Sequence, residues 1–314
     1  MVKMNTAYII ARKEIRAAFR NRIFLLITLL FLGLSILSVY IGSTTKKAEM
    51  RIYDDTIASL QASGETILPA PPEIHTLAIL NNLTEYISMV GAILAVMLGY
   101  NALIEEKESG GLKLILSRPV FRDQFLIGKF LGNAAVIALL LALVFVFNVV
   151  LLVGVGGIVP TAAEVLRLLT LISLGFVYMM IFLSVAMFLS IRLQDSGTVF
   201  LVALVIWMVF SFVIPQMAET QMANSSVINS ISGTVNQIPQ ETTASQVINF
   251  LSPTWHLRHV GGQLLQSAPG SGALSTGALV GNALTTLLAL LAPTIAIVAA
   301  SFAVFLRDET LILE

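Results

Sequence analysis

The sequence predicts an all-α integral membrane protein of six transmembrane helices with both termini cytoplasmic, and three observations carry that expectation. Apolar residues make up 57 % and charged residues 11 %, against a charged share of roughly 25 % in ordinary soluble domains, and the mean hydropathy is +0.90. Six runs approach the ~20 residues that cross a hydrocarbon layer about 30 Å thick. The charges collect between those runs. The period-two alternation of a membrane barrel is absent, so the spans are expected to be helices, which satisfy their own backbone hydrogen bonds in lipid.

In chain order, residues 1–22 read as an amphipathic helix on the cytoplasmic surface. Tyr8, Ala11, Ile15, Ala18 and Phe19 share one face, while Arg12, Arg16 and Arg20 form an i, i+4 stripe on another. This helix is either a positive-inside anchor or a brace for a cytoplasmic partner. The first span is placed at 23–41; its apolar run is too long, and its basic head too extended, for a cleaved signal. An outer loop at 42–84 carries Leu68-Pro69-Ala70-Pro71-Pro72. The second span follows at 85–104, a charged cytoplasmic segment at 105–129, and the third span at 130–153.

Gly154, Gly156 and Gly157 with Pro160 make a short outer turn at 154–165. The fourth span is placed at 166–189, an inner loop at 190–197 and the fifth span at 198–214. A second outer loop at 215–278 is rich in Ser, Thr, Asn, Gln and Gly; the sixth span at 279–306 precedes a cytoplasmic tail at 307–314. Neither outer loop has the apolar content of an independent domain, so each is a cap, a partner surface or a mobile loop. Asn82-Leu83-Thr84 and Asn224-Ser225-Ser226 fit a glycosylation pattern that is frequent by chance. Thirteen Lys and Arg fall in the segments assigned inside and five in those assigned outside, which sets the orientation.

Several chemistries find no support. The chain has no cysteine, which excludes disulfides and thiolate metal sites. His256 and His259 have i, i+3 spacing without a third ligand nearby, so with Trp255 they are expected at the outer membrane interface, where Trp is favoured. No H-E-x-x-H motif or nucleophile–base pair occurs, and no G-x-x-x-x-G-K-[ST] stretch that would bind ATP. Serines such as Ser35, Ser88, Ser173 and Ser184 lie in apolar spans, where they serve helix packing. Ionisable groups near mid-membrane, the usual mark of ion coupling, are almost lacking. A net charge of zero favours no nucleic-acid partner.

The segment at 105–129 is the most informative stretch. Glu105 to Glu108 end the second span with charges that cannot enter lipid. Ser109, Gly110 and Gly111 permit a sharp turn. Leu112, Ile115 and Leu116 then line one face of a short helix that stops at Arg118-Pro119, and a second helix restarts near Val120, carrying Arg122, Asp123 and Lys129. A short helix held between turns at the membrane surface is a suitable lever for rigid-body motion. Gly128-x-x-x-Gly132 is either a close helix contact or a helix-entry hinge.

The order Glu105-Glu106-Lys107-Glu108, Gly110-Gly111-Leu112, Leu116-Ser117-Arg118-Pro119-Val120, Arg122 and Gly128-Lys129 resembles the stretch between the second and third spans of ABC-2 type transporter permeases. Within that family it looks most like the branch containing the permease for nitrous oxide reductase maturation. Arg12-Lys13-Glu14-Ile15 with Arg20-Asn21-Arg22 resembles the family's opening, and Leu251-Ser252-Pro253-Thr254 its segment before the last span. Gly111, where the family more often has threonine, and the long outer loops depart from the pattern.

The resemblance implies a permease subunit, itself not an enzyme, working as a pair, with the first and fifth spans at the mutual interface. A separate P-loop ATPase would hold ATP and magnesium; this chain would carry no cofactor. Gly110 to Ser117 would form the coupling helix, with Glu106, Glu108, Gly110, Gly111, Leu112, Leu116, Arg118, Pro119 and Arg122 as the ATPase-coupling residues. Arg12, Arg16 and Arg20 would mark the interfacial helix beside it. The implied place is a prokaryotic inner membrane, the implied direction export, and the implied partners a second permease copy, the ATPase and an extracytoplasmic accessory protein. A membrane scaffold for an extracytoplasmic complex and a secondary carrier are the alternatives.

Overall fold

A computed structural model describes residues 2–63, 75–110, 122–228, 235–266 and 274–307. Helix α1 is Val2–Arg20 and α2 is Arg22–Ala62. The break between them is Asn21, whose extended backbone places Oδ1 to accept from Ile23 N at 2.9 Å and Phe24 N at 3.3 Å, an N-cap that starts a new helix in a new direction. The expected single segment 1–22 is therefore a helix plus a cap. Its buried side also differs from the expected one: Ala18 and Glu14 are buried and Ala7, Ile10 and Ala11 half-buried, whereas Tyr8 and Phe19 are exposed.

Among the described residues six helices are long and apolar enough to cross a membrane. The first, α2, runs 41 residues, about 60 Å at 1.5 Å per residue. The helix thus continues beyond the span placed at 23–41, because the polar residues after Gly42 have good enough helix propensity to continue without a breaker until Ser63. The described residues of the stretch at 42–84 include this extension and a 3₁₀ turn at Thr76–Leu80. The second span is composite: α3 (Leu83–Tyr86), a π turn (Ile87–Gly91) and α4 (Ala92–Glu108).

The third span is α5 (Arg122–Gly154) and the fourth α6 (Ala162–Arg192). A capping box starts α6, with Thr161 N donating to Glu164 Oε2 at 2.7 Å and Glu164 N to Thr161 Oγ1 at 3.3 Å. The fifth span is interrupted in the same manner as the second: α7 (Ser196–Met208), a π turn (Val209–Val213) and α8 (Ile214–Thr220). The second outer loop contains a two-stranded antiparallel hairpin, β1 (Ala223–Ile228) with β2 (Val235–Gln240), then α9 (Thr243–Phe250) and α10 (Pro253–Leu264). Among the described residues the helical body thus carries one β element, in the segment between the fifth and sixth spans, where composition gave no sign of it. The sixth span is α11 (Thr276–Arg307).

The core sits on α6. Helix α4 packs along one side of it and α11 along another, while α1 lies along α5. Tyr178, Phe182 and Leu183 of α6 meet Leu94, Val96 and Leu98 of α4 in the main buried cluster. The second and fourth spans are the most enclosed by protein; the first, fifth and sixth are the least. Their outward Leu29, Leu201 and Leu288 are exposed, as a lipid-facing or partner-facing side requires.

Candidate functional site

The two ends of the segment predicted to act as a lever are bolted to α1. Gly128 and Gly132 of α5 form the seat: a Cβ added at Gly128 would come 2.8 Å from Ala7 O, and one at Gly132 2.9 Å from the Ala11 Cα. The Gly-x-x-x-Gly pair is therefore a close helix contact. Between the two glycines, Lys129 reaches into the junction with a side chain only 3 % exposed; its Nζ lies 2.8 Å from Glu14 Oε1 on α1 and 2.5 Å from Glu106 Oε1 on α4. Lys13, at the solvent rim, adds a second cation 2.8 Å from the same Glu106 oxygen.

Two ammoniums and two carboxylates thus balance across three helices. Desolvating each ion costs several kcal/mol, so the arrangement holds only because every charge has an opposite neighbour. Burial is the dominant influence on Glu14 and raises its carboxyl above the ordinary range; the Lys129 ammonium opposes this and the Glu106 charge adds to it. The other Glu106 oxygen, Oε2, is buried without a hydrogen-bond partner among the described residues.

Neighbouring contacts extend this clamp to a fourth helix. Lys107 Nζ donates to Ile191 O at 2.9 Å and Leu193 O at 3.2 Å, at the C-terminal end of α6, where a cation meets the negative end of the helix dipole. Behind the ions, Phe125 and Leu126 pack with Leu103, Met187, Ile191 and Phe305, and the rings of Phe125 and Phe305 stack at 6.1 Å between centroids. Gly110 ends α4 with φ of +68°, a left-handed conformation for which glycine is the favoured residue.

Of the predicted coupling residues, Glu106 is in the clamp, Glu108 is exposed beside it, Gly110 makes the turn and Arg122 opens α5. Gly111, Leu112, Leu116, Arg118 and Pro119 lie outside the described residues. Arg12, Arg16 and Arg20 are all exposed on α1. Sequence reasoning missed Lys13, Glu14 and Lys129 as a unit. The available signal was a lysine between the two glycines of the Gly-x-x-x-Gly pair and a glutamate on the small-residue face of α1.

A second polar junction occupies the half of the bundle that the lysine and arginine distribution assigns to the outside. A π turn releases a backbone carbonyl from regular pairing, and both π turns have theirs taken up by side chains. Ser88 O, in the second span, accepts from Tyr178 OH at 2.8 Å and Trp207 Nε1 at 3.2 Å. Phe210 O, in the fifth, accepts from Ser252 Oγ at 2.6 Å. Thr254 Oγ1 joins the halves, 3.1 Å from Tyr178 OH and 2.7 Å from Ser211 Oγ. Ser252 also caps α10 by accepting from Trp255 N at 3.1 Å, with Pro253 in the first turn.

His256, expected at the outer interface, is buried within the protein, and its Nε2 faces Phe250 O at 3.0 Å. Burial lowers its pKa, and the Phe250 carbonyl only partly opposes this. Trp255 is half-buried and stacks on His259 at 4.6 Å, and His259 Nε2 lies 3.1 Å from Gln263 Nε2. The two histidines do not converge. Glu85 pairs with Arg258 at 2.7 Å and ties α3 to α10.

Comparison with known proteins agrees with this architecture. A family model described as ABC-2 family transporter protein matches residues 8–310. The chain is similar to a probable ABC transporter permease protein NosY of Pseudomonas aeruginosa, 35 % identical over 136 residues that cover 43 % of this chain and 42 % of that one. It is likewise similar to a probable ABC transporter permease protein NosY of Stutzerimonas stutzeri, 34 % identical over 136 residues, 43 % of this chain and 41 % of the relative. The match thus spans about two fifths of each relative's length.

Proposed function

This chain belongs to the ABC-2 family of transporter proteins, and from that premise we propose that it is the permease subunit of an ATP-driven exporter whose P-loop ATPase is a separate polypeptide. It is a multi-pass membrane protein, and the membrane is the prokaryotic inner one. The ATPase docks on the cytoplasmic segment between the second and third spans, with ATP and magnesium held in the partner.

The observation that supports this reading is the clamp of Lys129 with Glu14 and Glu106. A load applied between Gly110 and Arg122 reaches α4 at one end and α5 at the other, and the clamp ties both to α1. The junction cannot absorb the load by sliding, because separating its buried charges leaves each uncompensated. Closure of the ATPase pair would therefore move α1, α4 and α5 together. The outer half would respond at the two π turns, where neutral hydroxyls can exchange partners at about 1 kcal/mol per hydrogen bond. The permease works as two copies, and the sparsely covered first and fifth spans supply the mutual face. An extracytoplasmic accessory protein meets the outer elements.

The test replaces Leu112 and Leu116 together by Asp. The tagged chain is purified in mild detergent, with the co-purifying subunits and their ATP hydrolysis measured. The expected result is normal membrane insertion with loss of the ATPase or of its coupling. Unchanged ATPase recovery and activity in the double variant would refute the docking assignment, and recovery with extracytoplasmic proteins alone would favour a scaffold.

A further inference from the structure

We propose that the outer extension of α2 holds an anionic phospholipid headgroup in a basic groove against the rim of the helix bundle. The groove, about 290 Å³, is lined by Ser43, Lys46, Lys47, Met50 and Arg51 of α2, facing Ile79 of the 3₁₀ turn and Gly156 and Ile158 of the turn after α5. The inference rests on the outer placement of this extension, which follows from the topology proposed above.

The lining follows one helical face. Positions 43, 46, 47, 50 and 51 are spaced by three and four residues, so their side chains stack along one side of α2. Lower down, Phe31, Ser35, Ser38 and Val39 of α2 are buried against the bundle, on a side about a quarter turn from the groove lining. Gly42 then lets α2 approach the 3₁₀ turn, where an added Cβ would lie 2.3 Å from Ile79 O. Further up, the side of α2 that lines the groove is basic, with Ser43, Lys46 and Met50 half-buried and Lys47 and Arg51 exposed. The rule for short outer segments would leave these cations out.

Three cations line the groove and one of them is paired there, while Asp54 and Asp55 follow Arg51 on α2 and are exposed. Lys46 is neutralised by Glu49 at 3.1 Å. Lys47 and Arg51 have no ion pair among the described residues. Ser43 Oγ is shielded from water and has no hydrogen-bond partner there. Two unpaired cations, a hydroxyl donor without an acceptor and an apolar wall of Ile79, Ile158 and Met50 are complementary to a phosphodiester with its glycerol ester region.

Depth points to lipid as the source of that phosphate. The hydrocarbon crossing takes about 20 residues from the start of α2, which brings Ser43 to the level of the headgroups. Exposed Ile36, Leu37, Tyr40 and Ile41 directly below offer an apolar track for acyl chains. Basic pockets between spans on the cytoplasmic or matrix side bind anionic headgroups through the same pairing of cation and phosphate.

The experiment is native mass spectrometry of the delipidated full-length chain titrated with dioleoyl phosphatidylglycerol, dioleoyl phosphatidylcholine or inorganic phosphate. Phosphatidylglycerol is expected to bind at least ~10-fold tighter than phosphatidylcholine, and the Lys47→Gln/Arg51→Gln double variant to lose that preference. Lys47→Arg, which keeps the charge, should retain it, and an unchanged elution profile of each variant controls for folding. Equal binding of the two lipids, an unaltered preference in the double variant, or displacement of the lipid by inorganic phosphate at equal concentration would overturn the proposal. No ATPase enters this readout, so its failure is separable from failure of the transporter reading.

Discussion

The inner clamp and the outer junction both tie the second span to its neighbours through buried polar groups, yet they use opposite chemistry. At the inner end, full charges of Glu14, Glu106 and Lys129 meet across helices seated closely on glycines. At the outer end, Tyr178, Ser211, Ser252 and Thr254 hydrogen-bond around two π turns without a formal charge among them. A charged junction fails by leaving ions stranded, so it acts as one body. A hydroxyl junction fails one bond at a time, and each hydroxyl can donate or accept. On the topology and docking proposed above, the difference puts stiffness where a partner would push and adjustability where the outer elements would move.

The sharpest way to break this contrast is to replace Lys129 by Met, which fills similar volume but leaves Glu14 and Glu106 facing each other. Removing one partner of a buried ion pair typically costs ~3–5 kcal/mol. The expected outcome is a large fall in the melting temperature of the detergent-purified protein. Restoring the balance with a Lys129→Met/Glu106→Gln/Glu14→Gln triple change should recover most of the loss. A single Lys129→Met variant as stable as the parent would show that the clamp is not a charge-balanced unit.

Much of the architecture was legible in the sequence because span length and the positions of charges are one-dimensional properties. Six spans and the glycine turn at Gly110 announce themselves by composition or local grammar. What escaped depends on three-dimensional meeting points. Lys129, Glu14 and Glu106 lie in three separate elements, and nothing local in the sequence says that α1 lies along α5. The π turns also left no mark, since Ile87–Gly91 and Val209–Val213 read as ordinary apolar helix. The long α2 was hidden by polarity, which signals the end of a membrane crossing but not the end of a helix.

A smaller effect is expected at the outer junction from Tyr178→Phe. The change removes one hydroxyl that bonds Ser88 O and Thr254 while Trp207 still serves Ser88 O. The cost should be about 1–2 kcal/mol, the usual value for a buried hydrogen bond whose acceptor keeps another donor. A loss as large as that of Lys129→Met would mean that the outer junction is as cooperative as the inner one, and the distinction drawn here would fall.

The smallest effects should differ in sign with pH. Burial holds His256 below its ordinary pKa, so its neutral form contributes stability above about pH 6.5, and that contribution is lost as the pH falls through its lowered value. Glu14 is shifted upwards, so its contribution is present below its unfolded value and is lost as the pH rises through the folded one; at neutral pH its ionised form is a net cost. Glu14→Gln should therefore lower the melting temperature at pH 7.5 by less than Lys129→Met does, because the parent already carries the cost of an ionised Glu14 at that pH. His256→Gln should flatten the loss of stability on acidification below pH 6.5. Melting curves of the two variants across that range separate a junction that tolerates loss of one carboxylate, provided Glu106 still balances Lys129, from one that depends on a neutral imidazole against the Phe250 carbonyl.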